Sequence, residues 1–224
     1  LSRCRSNYKE NNDLMFDYAV IENFVPSNMS NTIKDKLLAS NHWEYMDCTI
    51  NINKDSIDPA DSNIRNTHQF MQLAYGENGP CSYVYSELAK PVLWMLEAKT
   101  GLNITSVQRI KANLLTPNGS TVEHYNPPHI DHTSDQYLSM VYYVNDSDGD
   151  TRIFDHTFND GCYDMKMICS NTPKQGNAII FPSTRFHCSS NPIDTSARVV
   201  LNMVFTVTSE SLLQMHQVME ISTE

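Results

Sequence analysis

The sequence predicts a mainly β protein with helices (α+β), built as a single domain over 1–224. Three observations carry this: an apolar stripe at helical spacing in 81–99, a change to period-two alternation from Ile104 onward, and turn residues between the alternating runs. At 224 residues, 40% hydrophobic and 19% charged, the chain can bury one full core and is too short for two comfortable ones.

The elements follow in chain order. Residues 16–24 are rich in β-formers, and Pro26, Ser27 and Asn28 then supply a turn and cap before 29–40, where Ile33, Leu37 and Leu38 share a helical face. A polar stretch, 51–66, reads as a surface loop. In 81–99, Val84, Leu88, Val92 and Leu96 recur every fourth residue, a helix that Pro91 is expected to kink and Gly101 to end. The division that results is a helical support region with an early strand (1–103), a β core (104–207) and a C-terminal segment (208–224).

Within the β core the alternation separates two kinds of face. Tyr137, Ser139, Val141, Tyr143 and Asn145 oppose Leu138, Met140, Tyr142 and Val144; Arg198, Val200, Asn202, Val204 and Thr206 oppose Val199, Leu201, Met203 and Phe205. Arg109, Lys111 and Asn113 stand likewise against Ile110, Ala112 and Leu114. Two architectures fit: a two-layer sheet with its mixed face in water, or a curled double sheet whose apolar face is covered by the N-terminal helices and whose mixed face lines a polar cavity. Parity does not choose, although a helical stripe in need of a partner favours the second.

Charge and composition narrow the partners. A net charge of -10 and a pI near 5.2 offer no footprint for a nucleic-acid backbone. No run of 18 apolar residues occurs and the first residues are polar, so a soluble, cytoplasmic protein without membrane contact is expected. The six cysteines lack a C-x-x-C pair and are expected to be reduced and mostly buried. No oligomeric state follows from the sequence.

His129-Ile130-Asp131 sets an imidazole and a carboxylate two residues apart, so on a strand both project to one face and can take adjacent positions around a metal. His187, after the apolar run 177–182, is the best third ligand. Two histidines and one carboxylate leave three coordination positions open, the arrangement that non-haem Fe(II) uses; a closed zinc site would need a fourth protein ligand. His124, His132 and His156 read as bystanders, since His132 has the opposite parity to His129 and Pro127-Pro128 interrupts the run after His124.

Together these residues resemble the prolyl 4-hydroxylase-like branch of the 2-oxoglutarate/Fe(II)-dependent oxygenases. The likeness runs through His129-Ile130-Asp131, Tyr142-Tyr143-Val144-Asn145, Asp148-Gly149-Asp150-Thr151, the run 176–183, His187 and Arg198. It covers about 104–207, and it implies a double-stranded β-helix, or jelly roll, with helices packed on one sheet. It makes His129, Asp131 and His187 ligands of Fe(II), and Arg198 and Tyr143 partners of the 2-oxoglutarate C5 carboxylate, which a guanidinium meets with paired hydrogen bonds. Where the family often carries a Tyr for the other end of 2-oxoglutarate, this chain offers Asn113. The Asp148-Gly149-Asp150-Thr151 turn replaces a more usual Gly-Gly-Glu-Thr.

The implied reaction uses O2, with ascorbate as a reductant, to hydroxylate an unactivated C–H while 2-oxoglutarate becomes succinate and CO2. A prolyl residue of a peptide or protein is the expected substrate, with Tyr125 and Arg152 as candidate contacts. A small molecule or free amino acid on the same scaffold is the alternative. A non-catalytic jelly-roll module binding a metal or sugar would need no Arg198 and Tyr143 pair.

Overall fold

A computed structural model describes residues 3–6, 16–50, 63–121, 123–161 and 164–213. Most of the expected loop at 51–66 and of the C-terminal segment lies outside them, as do Cys162 and the side chain of Cys4.

The strands are β1 (Arg3–Ser6), β2 (Phe16–Ile21), β3 (Glu44–Met46), β4 (Gln69–Gly76), β5 (Gly79–Pro80), β6 (Ile104–Leu115), β7 (Tyr137–Tyr143), β8 (Thr151–Thr157), β9 (Met167–Asn171), β10 (Ala178–Pro182), β11 (Arg185–Ser189) and β12 (Arg198–Val207). One large antiparallel sheet runs β1-β2-β10-β7-β12-β6-β4-β3, with β5 hairpinned onto β4; a small sheet runs β11-β8-β9. Two sheets, joined by the connections β7–β8, β9–β10, β10–β11 and β11–β12 that cross between them, make the jelly roll.

The parity reading holds strand by strand. Leu138, Met140, Tyr142, Val144, Val199, Leu201, Met203 and Phe205 belong to one buried cluster, together with Ile33 and Leu37 of α1 (Ser27–Leu38) and the stripe Val84, Leu88, Val92 and Leu96. The opposite faces of the same strands give a second cluster between the sheets, with Val141, Tyr143 and Val200 against Ile153 and Phe181. The helices therefore cover the apolar face, and the mixed face is enclosed.

Two features of the first half depart from expectation. β3 and β4 extend the large sheet beyond β6, with Phe70 opposite Leu114 and Leu73 opposite Lys111, so this region is more than a helical layer. The expected kink at Pro91 is replaced by a π-helical segment, Val84–Ala89, leading into α2 (Lys90–Thr100). Its wider turn takes up the place where Pro91, lacking an N–H, cannot continue an α-helical ladder. Gly101, at φ +74°, caps α2 as expected.

Among the described cysteines Cys188 is buried, Cys48 and Cys169 are half-buried and Cys81 is exposed, against the expectation of mostly buried thiols. No helix among the described residues is long and apolar enough to cross a membrane.

Candidate metal and cosubstrate site

The segment carrying His129 and Asp131 is extended without being a regular strand, because Pro127-Pro128 removes two backbone donors. It runs along β11 all the same: Asn126 N donates to Ser189 O at 2.8 Å, and His129 and His187 exchange backbone hydrogen bonds, each 2.9 Å. This pairing sets the imidazoles side by side, ring centroids 4.4 Å apart. Asp131 N donates to Ser183 O at 3.0 Å, which turns its carboxylate toward the same point.

The ligand atoms of His129, Asp131 and His187 all lie within 4.8 Å of one another, with His187 Nε2 3.4 Å from Asp131 Oδ2. Two ligands about 2.1 Å from a metal at right angles lie roughly 3 Å apart, so the spacing suits a shared ion. Each ring is oriented by its other nitrogen: His129 Nδ1 lies 3.3 Å from Pro127 O and His187 Nδ1 3.0 Å from Arg185 O. A proton on Nδ1 donating to that carbonyl leaves the Nε2 lone pair for a metal. Burial, reinforced by the His187 ring, pushes His129 down to about 4, so its imidazole is neutral near pH 7. Burial alone would raise Asp131, but His187, then Arg109 and His129, more than offset it and hold the carboxyl well below its usual range.

Arg109 has no role in the sequence reading, yet its guanidinium contacts Asp131 Oδ1 directly. On the other oxygen, Ser139 Oγ donates at 2.7 Å and Asn202 Nδ2 at 3.3 Å. The available signal was parity, since Arg109, Ser139 and Asn202 share the mixed face with Tyr143 and Arg198.

Arg198 is 3% exposed. Its Nε donates to Gly149 O at 2.7 Å and its Nη2 to Thr151 Oγ1 at 2.7 Å. No carboxylate pairs with it among the described residues. A buried guanidinium without an anion is costly, and this one lines the cavity that also holds the three ligand atoms. The volume is about 530 Å³, with Gln69, Met71, Lys111, Asn113 and Phe186 in its walls.

Tyr143 lies beneath that surface rather than on it: its hydroxyl accepts a 2.8 Å hydrogen bond from Asn171 Nδ2, and burial pushes it up to about 12. Thr151 reaches the cavity beside Arg198 instead. Asn113 lines the cavity and donates to Gln69 Oε1 at 2.8 Å. Tyr125 and Arg152 are outside the lining; the Arg152 guanidinium lies 4.9 Å from the Tyr125 ring centroid and pairs with Glu123. The set-aside histidines are engaged elsewhere: His124 with Asn118, His132 against the Tyr137 ring and His156 with Asp155.

The Asp148 to Thr151 turn has a structural reason. Asp148 accepts hydrogen bonds from the backbone of Ile193, Asp194 and Thr195, fixing the loop that delivers Arg198.

No family model and no curated protein matches this sequence. Solved structures do. A prolyl-4-hydroxylase of Pseudomonas putida aligns over 86% of this chain and 93% of its own at 14% identity and a TM-score of 0.51. A prolyl hydroxylase from Trichoplax adhaerens, solved with a hypoxia-inducible-factor peptide fragment, aligns over 88% and 86% at 14% identity and TM-score 0.52. The epimerase SnoN, solved with Fe3+, α-ketoglutarate and nogalamycin RO, aligns over 85% and 78% at 12% identity and TM-score 0.54. The chain therefore has the jelly-roll fold of the 2-oxoglutarate/Fe(II) oxygenases, and prolyl hydroxylases are among the structures it is similar to.

Proposed function

We propose that the protein is an Fe(II)- and 2-oxoglutarate-dependent dioxygenase that hydroxylates an unactivated C–H. One observation carries this: a His129, Asp131 and His187 cluster and a buried Arg198, with no carboxylate in ion-pair contact among the described residues, face the same cavity. The donor set suits Fe(II), with two imidazoles, one carboxylate and, among the described residues, no fourth protein ligand to close the site. Iron bound there with 2-oxoglutarate and O2 would supply the oxidising power, giving succinate and CO2 as coproducts, with ascorbate as the reductant for over-oxidised iron.

The chain's own residues do the rest. His129 and His187 present their Nε2 atoms, each ring held by a backbone carbonyl at Nδ1. Arg109, Ser139 and Asn202 hold the Asp131 carboxylate in one orientation, and Arg198 receives the C5 carboxylate with Thr151 beside it. Tyr143 supports Arg198 and Thr151 from below, and Asn113 stands on the neighbouring strand for the other end of the cosubstrate. Walls of Met46, Met71, Phe158 and Phe186 limit water near the reacting carbon.

The prolyl reading draws on the likeness to prolyl hydroxylases and requires a polypeptide; only a substrate longer than the cavity would reach Tyr125 and Arg152. A free amino acid or other small molecule is the second reading, favoured by the size of the cavity.

The test is anaerobic: protein with Fe(II) and 2-oxoglutarate should develop the weak visible charge-transfer band of chelated oxoglutarate. Arg198→Ala should weaken oxoglutarate binding at least tenfold while retaining iron. A wild-type protein without the band overturns the assignment. Oxoglutarate turnover against proline-containing peptides and free amino acids, with mass spectrometry for one added oxygen, then separates the two substrate readings.

A further inference from the structure

Lys111 projects from the mixed face of β6 into the cavity, between Arg109 and Asn113. The other two cations of the wall have counter-charges: Asp131 for Arg109, and the C5 carboxylate of the proposed cosubstrate for Arg198. Lys111 makes no hydrogen bond or ion pair among the described residues. Burial lowers its pKa, Arg109 adds to this, and the Asp131 charge only partly opposes them.

Strand register separates Lys111 from the cosubstrate. On β12, Arg198 pairs with Leu115 of β6, whereas Asn202 pairs with Lys111. The two rows are four residues apart along the strand, about 13 Å at the rise of an extended chain. A five-carbon diacid anchored at Arg198 is shorter than that. The Lys111 row is the one where Asn202 meets Asp131, level with the metal ligands. Apolar side chains, Met46, Met71, Phe158 and Phe186, make up much of the remaining wall.

We infer that Lys111 anchors a carboxylate of the substrate, so that the molecule hydroxylated is a carboxylic acid whose apolar body presents its C–H to the metal. This rests on the proposed function for the identity of the metal and cosubstrate. A single ammonium balances one carboxylate, whereas a phosphate dianion would leave charge uncompensated. Because the whole chain carries a net charge of -10, its long-range field repels an acid, and selectivity for one has to be local to the cavity.

The experiment titrates 3-phenylpropionate and its amide, 3-phenylpropanamide, into the anaerobic protein loaded with Fe(II) and 2-oxoglutarate. Binding is read from paramagnetic broadening of the probe resonances. The acid should bind wild type at least tenfold more tightly than the amide; Lys111→Met should erase the preference and Lys111→Arg should keep it. The charge-transfer band should be the same in all three proteins. Absence of acid binding, equal binding of acid and amide by wild type, or a preference surviving Lys111→Met overturns the inference. Loss of the band in Lys111→Met also overturns it, by moving Lys111 into the cosubstrate site. Should wild type lack the band, the oxygenase reading fails separately, and saturation transfer to the probes on the protein alone still decides whether Lys111 selects the acid.

Discussion

Gly149 and Arg198 are packed so closely that a Cβ at position 149 would lie 3.0 Å from Arg198 Cδ, and 2.6 Å from the Ser190 carbonyl oxygen. The Ser190 carbonyl alone requires glycine at 149, and the Arg198 side chain that crosses it, with Nε donating to Gly149 O, takes up the remaining space.

Gly149→Ala should therefore weaken 2-oxoglutarate binding although residue 149 bears no functional group. We expect a loss of about tenfold together with about 1–3 kcal/mol of stability from overpacking. Titration of the charge-transfer band and urea denaturation measure the two. An unchanged oxoglutarate affinity would mean that Arg198 is not held by this contact.

Asp131→Ala and His187→Ala should each abolish stoichiometric binding of Fe(II), or of Mn(II) as its redox-inert substitute, by isothermal calorimetry. Arg109→Met should retain the metal with affinity lowered about ten- to a hundredfold, since it removes a group that orients a ligand rather than a ligand. Equal losses in Arg109→Met and Asp131→Ala would make Arg109 indispensable to the fold of the site.

The acid limb of stability should carry the signature of His129. Its folded pKa of about 4 lies below the ordinary 6.5, so between these values the unfolded chain binds a proton that the folded one excludes. Stability then rises with pH across this window and is lost as pH falls from 6.5 toward 4. In metal-free protein the urea midpoint should drop more steeply there for wild type than for His129→Gln. Parallel slopes would show that His129 is not held neutral.

The helical cover should fail independently of the site. Leu96 is fully buried in the cluster that joins α2 to the large sheet, and Leu96→Ala should cost about 2–5 kcal/mol. Metal affinity at 10 °C should stay within a factor of two of wild type, measured by the same calorimetry.

The class of fold, the helical stripe and the two faces of each core strand are legible in the sequence, and so is the candidate grouping of His129, Asp131 and His187. These are local properties: a period of two or 3.6 and the chemistry of a side chain are written in neighbouring residues. Tertiary structure decided what those faces meet. Parity places Arg109 and Lys111 on the face of Arg198, but pairing of β6 with β12 and the turn at Asp131 give one a carboxylate and leave the other without. Likewise β4 has no period strong enough to announce that it will extend the sheet, and its place comes from pairing with β6, more than 30 residues along the chain. Gly149 is an ordinary turn glycine until Arg198, 49 residues later, closes over it. Contacts of this kind depend on strand register and sheet curvature, which no single segment encodes.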